Sequence, residues 1–109
     1  MAEWTLGRDQ VREIRDARAA LLAAAATGVP ALVERAVADA VAAMWQADFS
    51  RATICSLVTA AVEAGLPRRR TYTGRATDVR YWGDRAGAVA DAIAAGRPAA
   101  RAGDVPRAG

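Results

Sequence analysis

Apolar residues recur at three- and four-residue intervals along the chain from Val11 to Val62. This spacing places apolar side chains on one face of a helix. It predicts a first helix from Arg8 to Ala26, stopped by Gly28, because glycine readily adopts the left-handed conformation that ends helices. A second helix is predicted from Pro30 to about Ala47, since proline is favoured in the first turn. The residues expected to face inward in these two helices are Val11, Ile14, Leu21, Leu22, Ala25, Leu32, Val33, Ala36, Val37, Ala40, Val41, Met44 and Trp45.

The same spacing continues into a third predicted helix, Arg51 to Ala64. Ser50 precedes it as an N-cap, because a serine hydroxyl can accept a hydrogen bond from the first turn. Gly65 follows as the stop signal. Its expected inward residues are Ile54, Leu57, Val58, Ala61 and Val62.

The pattern changes after Pro67, where threonine, tyrosine, valine and tryptophan become frequent. These residue types favour strands, so the sequence predicts a hairpin of two short strands, Arg69–Thr73 and Thr77–Trp82. A last helix is predicted from Arg85 to Ala95. The expected fold is mainly α, a three-helix helix-turn-helix core with a short β-hairpin wing and a C-terminal helix over residues 1–96. Residues 97–109, rich in Pro, Gly, Arg and Ala, are expected to be a disordered tail.

The charge is unevenly distributed along the chain. All 15 basic residues are arginines, and the net charge is +3. Residues 1–49 carry five arginines and seven acids, whereas residues 50–109 carry ten arginines and five acids. This asymmetry indicates a localised anionic partner. The alternative is that the arginines only solvate the surface.

Composition argues against several classes of function. The chain has no histidine, no lysine and one cysteine, Cys55, so no internal disulfide, glycine-rich phosphate loop or cluster of metal ligands is expected. We therefore expect neither an enzyme nor a cofactor, metal or small-molecule ligand. The alanine-rich run Ala19–Val33 is too short to span a bilayer and is broken by Pro30. A cytoplasmic, nucleoid-associated protein is expected.

The stretch from Phe49 to Leu57 reads FSRATICSL. It resembles the recognition helix of lactose-repressor-family regulators, which often read hydrophobic-Ser-x-x-Thr-Val-Ser-x-Val. The resemblance is local and implies a shared helix-turn-helix motif. Asp48 stands in the turn where such motifs usually carry glycine, and aspartate tolerates the left-handed region better than most residues. A basic hairpin after this helix is similar to the wing of winged helix-turn-helix proteins.

The resemblance implies two groups of DNA-binding residues. A recognition helix presents small, polar and arginine side chains to base edges in the major groove. The residues expected to do so here are Ser50, Arg51, Ala52, Cys55, Ser56 and Thr59. A basic wing contacts the backbone or the minor groove. The residues expected there are Arg68, Arg69, Arg70, Thr71, Thr73 and Arg75.

These observations predict a sequence-specific binder of double-stranded DNA, a small transcriptional repressor of a plasmid, phage or integrated element. It is expected to act as a homodimer, joined through the edge of the first helix at Leu22, Ala19 and Ala26 or through the helix at Arg85–Ala95. The alternative is a helical protein–protein interaction module, an antitoxin or adaptor, that does not bind DNA directly.

Overall fold

The computed structural model of the chain describes residues 7–67 and 72–96. The described residues form four helices, which are α1 (Arg8–Thr27), α2 (Pro30–Gln46), α3 (Arg51–Gly65) and α4 (Tyr72–Ala94). The first three begin where the sequence predicts and end within a residue or so of the predicted stop. The expected disordered tail, residues 97–109, lies outside the described residues.

The helices α2 and α3 form the centre of the fold. α1 packs against both of them, and α4 also packs against both, while the described backbones of α1 and α4 do not approach each other closely. The core between these helices is built mainly from valine and alanine, with a few larger side chains. The largest fully buried side chains are Leu21, Ile54, Val37, Val41, Val58 and Val62.

The predicted β-hairpin wing is wrong. The described residues contain no strand, and the segment Thr77–Trp82 lies inside α4. Of the other predicted strand, residues 69–71 lie outside the described residues, and Tyr72 and Thr73 are helical. The expected C-terminal helix is therefore only the last part of one longer helix.

Packing explains why this segment is helical. Val79, Trp82, Ala86, Val89 and Ile93 follow one another at three- and four-residue intervals, and all are buried or packed against the core. A strand would alternate these side chains between two faces. An isolated two-stranded hairpin is also only marginally stable in water. Burial of one continuous helical face therefore outweighs the modest strand preference of the threonine and aromatic residues.

Three residues expected to face the core are more than a third solvent-exposed. Val11 is 38% exposed, Leu32 is 48% exposed and Leu57 is 38% exposed. Each lies at the edge of the apolar face of its helix, where periodicity alone does not show which side a neighbouring helix will cover.

Glycines allow the helices to approach closely at two places. A Cβ atom at Gly65 would overlap the backbone oxygen of Leu22 and crowd the Cβ of Ala25, so α3 meets α1 backbone to backbone. On α4, a Cβ at Gly83 would lie 2.6 Å from Cγ2 of Thr59, and one at Gly87 would lie 2.5 Å from a terminal nitrogen of Arg51. The α3–α4 contact thus favours a small residue at Gly83, whereas at Gly87 only the end of the Arg51 side chain would have to move. None of the helices in the described part of the chain has the length and apolarity needed to cross a membrane.

Candidate nucleic-acid interface

The connection between α2 and α3 is a short turn with a defined hydrogen-bond pattern. The N–H of Phe49 donates to the carbonyl of Met44 at 3.1 Å, and the N–H of Asp48 donates to Trp45 at 3.0 Å. This is the Schellman arrangement, in which the residue after the C-cap is left-handed. Asp48 fills that position with φ 66°, as the resemblance to helix-turn-helix motifs leads one to expect. Phe49 then packs against the core and fixes the direction in which the chain leaves α2.

Ser50 caps the start of α3. Its Oγ accepts a hydrogen bond from the N–H of Thr53 at 3.2 Å, and its hydroxyl is also 2.9 Å from Oγ1 of Thr53. The predicted N-cap is therefore confirmed. This contact holds the hydroxyls of both residues together at the exposed first turn of α3.

One side of α3 is left uncovered by the other helices. Seven exposed residues lie on it, at spacings that keep them together on a helix, and the last two are Glu63 and Ala64. We refer to the first five as the outer face, and they are Ala52, Thr53, Ser56, Leu57 and Ala60. The outer face carries no charge, whereas Glu63, directly after it on the same side of α3, is an acid.

Arg51 does not point freely outward from the start of α3. Its guanidinium pairs in a bidentate manner with the Asp91 carboxylate of α4, with Nε–Oδ1 at 2.8 Å and Nη2–Oδ2 at 3.1 Å. Both side chains remain more than half exposed, at 55% and 62%. The hydrogen bond from Arg51, helped by its charge, holds the pKa of the Asp91 carboxyl below its ordinary value. The same pairing raises the pKa of Arg51.

Cys55 and Thr59 face α4 rather than solvent. Both line an open groove between α3 and α4, together with Gly83 and Asp91, and both are only partly exposed. The Thr59 hydroxyl donates to the backbone carbonyl of Ser56 at 2.9 Å, which occupies it within the helix. The predicted base-reading set is therefore divided: Ser50 and Ala52 lie at the exposed start of α3, Ser56 lies at the edge of the outer face that borders the groove, and Arg51, Cys55 and Thr59 lie towards α4.

Arg75 is not at the tip of a wing. It lies in the first turn of α4, and its guanidinium binds three backbone carbonyls at the end of α3. The distances are 2.7 Å to Glu63, 3.3 Å to Leu66 and 3.1 Å to Pro67. A cation placed there satisfies carbonyls that a helix end leaves unpaired. We refer to this contact as the Arg75 clamp. Of the other predicted wing residues, Thr73 belongs to the first turn of α4, and the set Arg68, Arg69, Arg70 and Thr71 lies outside the described residues.

The net positive charge of the chain does not come from the residues that the structure describes. The described residues include nine arginines and ten acids, a net charge of −1. The remaining residues hold six arginines and two acids, a net charge of +4, and the two figures sum to the +3 of the chain. Three of these arginines are Arg68 to Arg70, which follow α3 directly in the sequence. Within the described part of the chain, no three acidic, cysteine or histidine side chains come together as a metal site would require.

Sequence reasoning missed Thr53, Leu57 and Ala60 as members of the outer face. Leu57 is three residues from the buried Ile54 and therefore reads as a core residue. Periodicity gave no signal for the position of α4, which covers one flank of α3 and moves the uncovered side towards these residues. No protein-family model matches the chain, and comparisons with curated proteins and with solved structures found no significant match.

Proposed function

We propose that this protein binds double-stranded DNA through the α2–turn–α3 unit, with the outer face of α3 in the major groove, and that it acts as a small regulator of transcription. The observation that carries the proposal is the outer face itself. It is uncovered and uncharged, and it follows the tight turn at Asp48 and the N-cap residue Ser50. Small side chains would let a helix approach the floor of the groove closely.

The chemistry of the outer face suits base edges. The hydroxyls of Thr53 and Ser56 can donate to base or phosphate oxygens, and the methyl groups of Ala52 and Ala60 can contact thymine methyl groups. Phosphate contacts would come from arginines, since they supply most of the affinity in protein–DNA complexes. Arg68 to Arg70 follow the C-terminus of α3 in the sequence, and residues after a recognition helix commonly contact the backbone.

The test is fluorescence anisotropy with a labelled random-sequence duplex between roughly 50 and 200 mM salt. We expect the log-log salt slope to lie at about −4 to −8, which corresponds to several phosphate contacts. Two matched substitutions locate the surface. Ala60→Glu places a negative charge on the outer face, whereas Ala23→Glu makes the same change at an exposed site on α1. Ala60→Glu should abolish most of the binding to the duplex, whereas Ala23→Glu should weaken that binding only slightly.

A protein-interaction module is the second candidate, and two observations favour it. The described helices carry no excess positive charge, and the exposed Leu57 lies among alanines on the outer face. Absence of DNA binding at the lowest salt would support this candidate. Equal losses of DNA affinity in Ala60→Glu and Ala23→Glu would show instead that DNA is bound by another surface.

A further inference from the structure

The position of Arg51 carries an inference that rests on the proposed function. Arg51 is the first residue of α3, and Asp91 lies in the last turn of α4. A cation at a helix N-terminus and an anion near a helix C-terminus are each opposed by the helix dipole. Each charge therefore lies at an unfavourable helix end. The bidentate ion pair between Arg51 and Asp91 offsets both unfavourable charge–dipole interactions.

Gly87 completes this arrangement. A Cβ at residue 87 would lie 2.5 Å from a terminal nitrogen of Arg51, so the guanidinium could not keep its present position with any residue other than glycine there. Glycine inside a helix is less stable than alanine, and exposed ion pairs contribute little to stability. Stability alone therefore does not explain why α4 carries both Gly87 and Asp91 beneath this arginine.

We propose that Asp91 limits the binding of random DNA by holding Arg51 beside the outer face, so that the guanidinium reaches a phosphate only by exchanging this carboxylate. A phosphate offers two oxygens to a guanidinium, as the Asp91 carboxylate does, and it is present on DNA of any sequence. The O6 and N7 atoms of guanine offer the same two-point geometry that Asp91 offers. Asp91 thus competes with DNA for Arg51, and its removal leaves the guanidinium available to phosphates of any sequence.

The experiment compares four variants with the full wild-type chain on the same random-sequence duplex. Asp91→Asn removes the competing charge and retains the size of the side chain. Glu34→Gln is the matched control, because it makes the same charge change in the ion pair between Arg85 of α4 and Glu34 of α2, where Nε–Oε2 is 2.5 Å. The others are Arg51→Ala and the double variant Arg51→Ala with Asp91→Asn. Circular dichroism verifies that each variant is folded.

We expect Asp91→Asn to tighten binding to random DNA on the order of three- to tenfold and to steepen the salt slope by about 0.9, the contribution of one additional phosphate contact. Glu34→Gln should change both quantities much less. Asp91→Asn should have no effect when Arg51 is already alanine, because Asp91 acts through that side chain.

Two results would overturn the inference while leaving the proposed function intact. The first is an equal effect of Asp91→Asn and Glu34→Gln on the affinity for random DNA. That result would show that Asp91 acts only through its contribution to the net charge. The second is tighter binding by Asp91→Asn that persists without Arg51. If neither wild type nor any variant binds the duplex at about 50 mM salt, the proposed function fails and this inference fails with it.

Discussion

Substitution of Gly65 by alanine tests the close approach of α1 and α3. The new Cβ would overlap the backbone oxygen of Leu22 and crowd Ala25, so relief requires α1 and α3 to move apart. Overpacking of this kind costs about 1–3 kcal/mol. Because Gly65 does not have a positive φ, alanine also restricts the unfolded chain, which offsets the cost by about 0.4–1 kcal/mol. The expected net loss in the free energy of unfolding is about 1–2 kcal/mol.

Gly87→Ala is the control for this prediction. Its new Cβ would meet only the end of the exposed Arg51 side chain, which can move away. The helix preference of alanine should then make this variant as stable as wild type or more stable, by up to about 1 kcal/mol.

Urea unfolding measures both variants, followed by circular dichroism and by the fluorescence of Trp45 and Trp82. For a domain of this size each kcal/mol also shifts the melting temperature by roughly 4–8 °C. A Gly65→Ala variant at least as stable as wild type, with an unchanged dependence on urea, would refute the backbone-to-backbone contact of α1 and α3.

Three further predictions address the turn, the ion pair and the oligomeric state. Asp48→Gly should raise the free energy of unfolding by about 0.5–1 kcal/mol, because glycine adopts a positive φ without strain; a lower urea midpoint would contradict this. Asp91 should titrate below the ordinary aspartate range in carboxyl-carbon NMR and return to it in Arg51→Ala. Because the folded pKa is lowered, the pair contributes stability above the ordinary pKa and loses it as the pH falls through the folded value. Light scattering should give twice the chain mass for wild type and a single-chain mass for Ala19→Glu, and equal masses would exclude the edge at Ala19 and Leu22 as the dimer contact.

The helix boundaries could be predicted because they are encoded locally. Gly28 ends α1 with φ 71°, Pro30 begins α2, and Ser50 caps α3, each through contacts within a few residues in the chain. Local hydrogen bonds and backbone preferences of this kind can be recognised in one sequence without knowledge of the fold.

The helical structure of Thr77–Trp82 and part of the candidate site could not be predicted, because they depend on contacts between residues far apart in the chain. The helical stripe at Val79 and Trp82 is interrupted by polar and glycine residues, and it becomes decisive only once α4 lies against α3. Arg51 finds its partner 40 positions away in the sequence. Which flank of α3 stays uncovered therefore follows from tertiary packing, and periodicity within α3 does not contain that information.

The Arg75 clamp has a consequence for protein engineering. It fixes Pro67 and the first turn of α4 relative to each other, so the two ends of the connection between them are held by the helices themselves. Lengthening a connection whose ends are already held adds only about 0.6 kcal/mol of closure entropy for each doubling of its length. An epitope or a fluorescent label inserted between Pro67 and Tyr72, but outside the run Arg68 to Arg70, should therefore leave α3 and α4 docked.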